Sequence, residues 1–94
     1  AEDGMVVVIL NISSHNNQLI SEPEIITRGF IYVKENEDMI RELSQVAKNA
    51  AVSTSVKRAK DLGEVRSAVK SAVSNYLFKA TRRSPMIIPV INRI

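Results

Sequence analysis

Cysteine is absent from all 94 residues. That excludes a disulfide framework, a thiolate metal centre and a cysteine nucleophile, and it suits a reducing cytoplasm. Tryptophan is missing too, and the aromatic side chains are Phe30, Tyr32, Tyr76 and Phe78. Platforms for stacking nucleic-acid bases are therefore few. The single histidine, His15, sits in the turn-forming run Ser13-Ser14-His15-Asn16-Asn17 with no second histidine and no clustered carboxylate. Neither a metal site nor a Ser-His-Asp arrangement can be assembled around it. Of the three glycines, Gly29 and Gly63 are isolated, so no glycine loop cradles a phosphate. The longest uninterrupted apolar run, Met5 to Leu10, is far too short to span a bilayer and follows no basic segment of the kind that opens a secretory signal. The expectation is a soluble cytoplasmic protein without membrane contact.

What is present is ordinary for a globular chain: 45% hydrophobic and 24% charged residues. The length allows a single domain over residues 1–94 with one modest core. Thirteen Lys and Arg against ten acids give a net charge of +3, an excess that permits contact with nucleic acid without requiring it.

Met5 to Ile12 is dense in β-branched residues and predicts a strand whose two faces are both apolar. Such a strand belongs in the middle of a sheet. The turn at 13–17 leads back through a second arm, which Pro23 breaks into a short piece near Leu19-Ile20 and a longer strand over Ile25 to Val33. Gly29 inside that strand predicts a bulge or a close backbone approach. Asn36 is a good N-cap for a helix from residue 37 to the mid-50s, with Glu37 and Asp38 complementing its positive end. Met39, Ile40, Leu43, Val46, Ala47, Ala50 and Ala51 recur at helical spacing. Asp61 and Glu64 have capping-box spacing for a second helix, whose stripe is Val65, Val69, Ala72, Val73, Tyr76, Leu77 and Ala80. Lys79, Arg82 and Arg83 suit its C-terminus, and Pro85 stops it. Met86 to Ile94 reads as a strand again, and Pro89 within it argues for an edge or a bulge.

The order strand, strand, helix, helix, strand gives an α+β domain: a small sheet of about three strands covered on one face by two helices. One sheet face is then left open. Val6, Val8 and Leu10, or alternatively Met5, Val7 and Ile9, with Ile26, Phe30 and Tyr32 beside them, form an apolar patch of the kind that a protein partner covers. Val6, Val8, Leu10, Ile26 and Phe30 are the candidate interface. A second surface is basic. Lys57, Arg58 and Lys60 precede the second helix and Lys79, Arg82 and Arg83 end it. They form either a solvated helix face or a set of phosphate contacts to RNA.

Two stretches carry a resemblance. Ile20 to Val33, with Pro23, Arg28, Gly29, Phe30 and Tyr32, and Tyr76 to Ile91, with Pro85 and Pro89, resemble the signature strand and the helix-to-last-strand closure of the C-terminal domain of ribonuclease J. That family belongs to the metallo-β-lactamase, β-CASP nucleases. The resemblance implies a parent that is a cytoplasmic, zinc-dependent 5′-to-3′ exo- and endoribonuclease of RNA processing and mRNA decay. It implies no catalytic residue, metal ligand or cofactor in this chain, because the family's zinc ligands lie in its nuclease regions. It also implies a role in assembly with a second copy or a sister subunit, and in full activity of the parent. The alternative is an accessory RNA-binding module built on the basic residues of the second helix.

Overall fold

The computed structural model describes residues 3–30, 36–54 and 62–94. Five elements follow in chain order: strand β1 (Met5–Ile12), strand β2 (Glu24–Arg28), helix α1 (Glu37–Ser53), helix α2 (Gly63–Thr81) and strand β3 (Met86–Arg93). The sheet order is β2-β1-β3. β1 is the central strand, as its two apolar faces predict, antiparallel to β2 and parallel to β3. The predicted α+β order and the single helical layer are both present.

The second arm breaks at Pro23 as expected. Ile12 bridges Leu19, and Ile20 N–H donates to the Asn11 carbonyl at 3.0 Å, before the ladder resumes at Ile9↔Glu24. β2 ends at Arg28; residues 31–33 of the strand read from the sequence lie outside the described residues. Gly29 adopts φ +67° there, and the turn carries Phe30 into the core instead of along the strand. Gly4, at φ +80°, crosses this turn so closely that an added Cβ would lie 2.4 Å from the Arg28 carbonyl oxygen and 2.5 Å from the Gly29 carbonyl carbon. The close backbone approach expected at Gly29 is thus a crossing of two glycine segments.

The side chain of Asn36 caps α1, accepting from the Met39 N–H at 3.0 Å. The side chains of Leu43, Ala47 and Ala51 form its buried stripe. α2 starts at Gly63 with Leu62 at the N-cap and no side-chain cap bond, a later start than the Asp61–Glu64 pairing predicts. Leu62 packs partly against the core, which anchors the helix entry; Asp61 lies outside the described residues. Val65, Val69, Val73 and Leu77 recur every four residues along α2 and all are buried. Each such side chain contributes about 1.5–3 kcal/mol by leaving water. The helix ends where Arg82 turns left-handed at φ 61° and donates its N–H to the Phe78 carbonyl at 2.8 Å.

Helix α1 is joined to α2 by a hydrogen bond from the Tyr76 hydroxyl to the Glu42 carboxylate. Desolvation, then that hydrogen bond and the nearby negative charge, push the Tyr76 hydroxyl up from 10.0 to about 12. A group whose acidity is weakened by folding stabilises the fold below its unfolded pKa and loses that contribution as pH rises through the folded value. The contribution of Tyr76 is therefore expected to be fully present and independent of pH up to about 10, and to be lost between there and about 12. An ultraviolet titration of Glu42→Gln should place Tyr76 ionisation lower than in the native chain. The glycine crossing makes a separate prediction. Gly4→Ala is expected to cost at least about 2 kcal/mol, since backbone must move and φ is positive. Gly29→Ala, with Gly4 Cα at an ordinary 3.6 Å, should cost only about 1 kcal/mol, and urea unfolding of the two variants measures the difference.

Candidate functional site

The even-numbered residues of β1 point to the helices: Val6, Val8 and Leu10 are completely buried and Ile12 nearly so. Through the register, Ile25 on β2 and Ile87 and Ile91 on β3 join them. The odd-numbered residues therefore make the outer face. Met5, Val7 and Ile9 lie between Ile26 of β2 and Met86, Ile88 and Val90 of β3, and none of these seven is buried. Among the described residues no helix crosses this face.

Of the candidate interface residues, only Ile26 lies on that surface. Val6, Val8 and Leu10 are core residues, and Phe30 is 3% exposed in the same cluster. The correction has a clear cause: both faces of β1 are apolar, and the helices take the one that continues to Ile12, leaving the one that continues to Asn11. Tyr32 lies outside the described residues. Met86, Ile88 and Val90 belong to the surface although the sequence reading leaves them out, and their alternation with Ile87, Pro89 and Ile91 is visible in the sequence. The structure adds the parallel register that sets them beside Val7 and Ile9.

The outer face has an apolar centre and polar margins. Asn92 donates from Nδ2 to Asn11 Oδ1 at 3.1 Å along one end. Glu24 and Arg28, both exposed, flank Ile26 on β2. A contiguous apolar patch with a polar rim is the usual anatomy of a surface that another protein covers.

The basic residues do not form one surface that can be followed throughout. Lys57, Arg58 and Lys60 lie outside the described residues. Lys79, Arg82 and Arg83 are exposed together at the end of α2, and the Arg82 guanidinium carbon stands 5.5 Å from the ring centroid of Phe78, itself 46% exposed. Arg28 is exposed at the end of β2. The Ser84 N–H donates to Asp3 Oδ2 at 2.9 Å, so a carboxylate stands beside this group of cations. Pro85 is buried where α2 hands over to β3.

Among the described residues no group of three or more His, Cys, Asp or Glu side chains is placed to hold a metal ion, so nothing here fits a zinc centre. His15 is exposed in its turn, its N–H donating to Ser13 Oγ. Glu37 and Asp38 open α1, where Asp38 pairs with Arg41. No helix among the described residues is long and apolar enough to cross a membrane. A shallow groove between α1 and α2 is lined mainly by the small side chains of Ala50, Ser53, Ala68, Ser71 and Ala72 and gathers no charged group.

Comparison with known proteins bears on the family of the chain. The family model described as the ribonuclease J C-terminal domain matches residues 1–94. Ribonuclease J 2 of Staphylococcus aureus (strain NCTC 8325 / PS 47) is 34% identical over 94 residues, covering 100% of this chain and 17% of that protein. Ribonuclease J2 of Bacillus subtilis (strain 168) is 31% identical over 94 residues, again 100% of this chain and 17% of its own length. The chain thus spans about a sixth of the curated relatives it matches, and it belongs to the ribonuclease J C-terminal domain family.

Proposed function

We propose that this domain is a non-catalytic assembly module of a ribonuclease J, and that it brings the parent enzyme together with a second copy or a sister subunit through the outer face of its sheet. The observation that carries this reading is the row Val7, Ile9, Ile26, Ile88 and Val90, apolar and only partly buried on a sheet whose other face packs against the two helices. In this reading the parent supplies the chemistry: zinc-dependent 5′-to-3′ exo- and endonucleolytic cleavage of RNA, in the cytoplasm, by regions that this chain does not contain. In this reading the zinc ligands and the catalytic groups belong to the parent, and among the described residues of the domain no cluster is placed to hold a metal ion. Its contribution to activity is geometric, through the oligomer it helps to form.

A second reading is favoured by one contact, the stacking of Arg82 on the exposed ring of Phe78 beside Lys79 and Arg83. An exposed aromatic ring next to cations is the arrangement that binds single-stranded nucleic acid. The domain would then hold RNA for the parent enzyme at the end of α2. Cation–π contact and helix-end complementarity account for Arg82 and Lys79 without a ligand, so assembly is the principal reading.

Sedimentation of the 94-residue chain over a range of concentrations tests assembly. Self-association is expected, and Ile88→Lys is expected to abolish it while circular dichroism stays native. Val8→Glu, by contrast, buries a carboxylate in the core and should unfold the domain at a cost of several kcal/mol, on the order of 3–5. A native chain that stays monomeric at high concentration sinks the assembly reading. For RNA, affinity should fall with rising salt. Arg82→Ala combined with Arg83→Ala should make the slope of log affinity against log salt shallower, by roughly one for each phosphate that no longer meets a cation. Undetectable binding of single-stranded RNA at low salt removes that reading.

A further inference from the structure

The direction of the backbone groups gives both prolines of the sheet a common meaning. At one end of β3 the Met86 N–H donates to the Gly4 carbonyl, and at the other the Ile94 N–H donates to the Ile12 carbonyl while the Ser14 N–H returns to Ile94. Peptide groups alternate from one edge of a strand to the other. The register from Met5↔Met86 to Ile12↔Arg93 has no slip. The even-numbered residues of β3 therefore turn their N–H and C=O groups toward β1. Ile87, Pro89, Ile91 and Arg93 turn theirs away, along the edge that no other described strand pairs with. Pro89 sits near the middle of that edge, where its missing N–H removes nothing from the native ladder.

The opposite edge is treated alike. Ser13 N–H donates to the Gln18 carbonyl and Ile20 N–H to the Asn11 carbonyl, so the odd-numbered residues of β1 serve this side. Their partners Glu24, Ile26 and Arg28 face β1, and Ile25 and Thr27 face outward. β2 is only five residues long and starts immediately after Pro23, whose carbonyl accepts from Ser44 Oγ of α1 at 2.6 Å. That edge is short, and helix α1 takes the carbonyl just before it. The edge of β3 has eight residues, is rich in isoleucine, and has Arg93 as its only charge, which leaves Pro89 as its chief protection against another strand.

We infer that Pro89 blocks strand addition at β3 by a second copy of this chain, and that without it two β3 edges pair antiparallel and continue the sheet from one copy into the next. A two-fold axis at Val90 sets position 87 opposite 93 and position 89 opposite 91, so that every outward residue of both strands would be bonded. Pro89 falls in the two central pairs. In each it lacks the donor, and its ring occupies the space into which the facing carbonyl must come. The block concerns backbone groups at the edge and stands apart from the outer-face reading.

Pro89→Val restores the N–H and keeps a strand-forming side chain. In sedimentation of the 94-residue chain, this variant is expected to self-associate at least about tenfold more tightly than the native protein, and the gain should persist when Ile88→Lys is added. A chain made by chemical ligation with N-methylalanine at position 89, which lacks the N–H but not the flexibility, should behave as the native one, and Pro89→Ala should follow the valine variant. A folded Pro89→Val that associates no more tightly than the native chain overturns the inference, as does a gain that Ile88→Lys removes. If neither the valine nor the alanine variant folds, Pro89 is a requirement of the native strand and the inference is likewise overturned.

Discussion

The placement of every element depends on β1, which must satisfy hydrogen bonds along both edges and bury Val6, Val8, Leu10 and Ile12 at the same time. A hairpin provides one neighbour directly, because an antiparallel partner needs only a short turn. The other neighbour is parallel, and a parallel partner requires the chain to travel back the length of the sheet. α1 and α2 make that journey. A crossover passes over one face, so both helices lie on the same side and their stripes cover the even-numbered residues of β1. The uncovered outer face is therefore a consequence of the connection between β2 and β3.

Much of this is readable from the residues. The central position of β1 follows from two apolar faces, the cap at Asn36 from its chemistry, the edge position of β3 from Pro89, and the interruption of the second arm from Pro23. The inward face of β1 is harder to read, since Val6, Val8 and Leu10 differ little from Met5, Val7 and Ile9 in volume or polarity. What separates them is the end of the strand: the even set goes on to Ile12, the odd set to Asn11, and the hydrophobic gain of one more buried residue favours the former. Strand-forming residues continue to Val33, which sets Phe30 on a strand when the sequence is read alone. Gly29 at positive φ ends the ladder first, and that depends on Gly4, far away in sequence, needing room. α2 begins at Gly63 with Leu62 before it packed partly against the core, and Asp61, the other half of the spacing read from the sequence, lies outside the described residues.

Face and edge offer a small sheet two different kinds of association. Two outer faces brought together about a two-fold axis bury each other and stop, which yields a closed pair. Pairing of two β3 edges about a two-fold axis also closes, but it makes a longer continuous sheet and leaves the β2 edges at its ends. The domain treats the two differently. Its outer face keeps Val7, Ile9, Ile88 and Val90 accessible with a polar margin, whereas both edges carry a proline at or beside the strand, and one is further covered when Ser44 takes the Pro23 carbonyl. For a domain of ribonuclease J that spans about a sixth of its relatives' length, this distinction has a physical use. Under the proposed assembly, association would use the face, and pairing of β3 edges would be a competing contact that Pro89 disfavours. The same backbone that makes β3 a good parallel partner for β1 makes it a good template on its other side, and a single residue without an N–H separates those two properties.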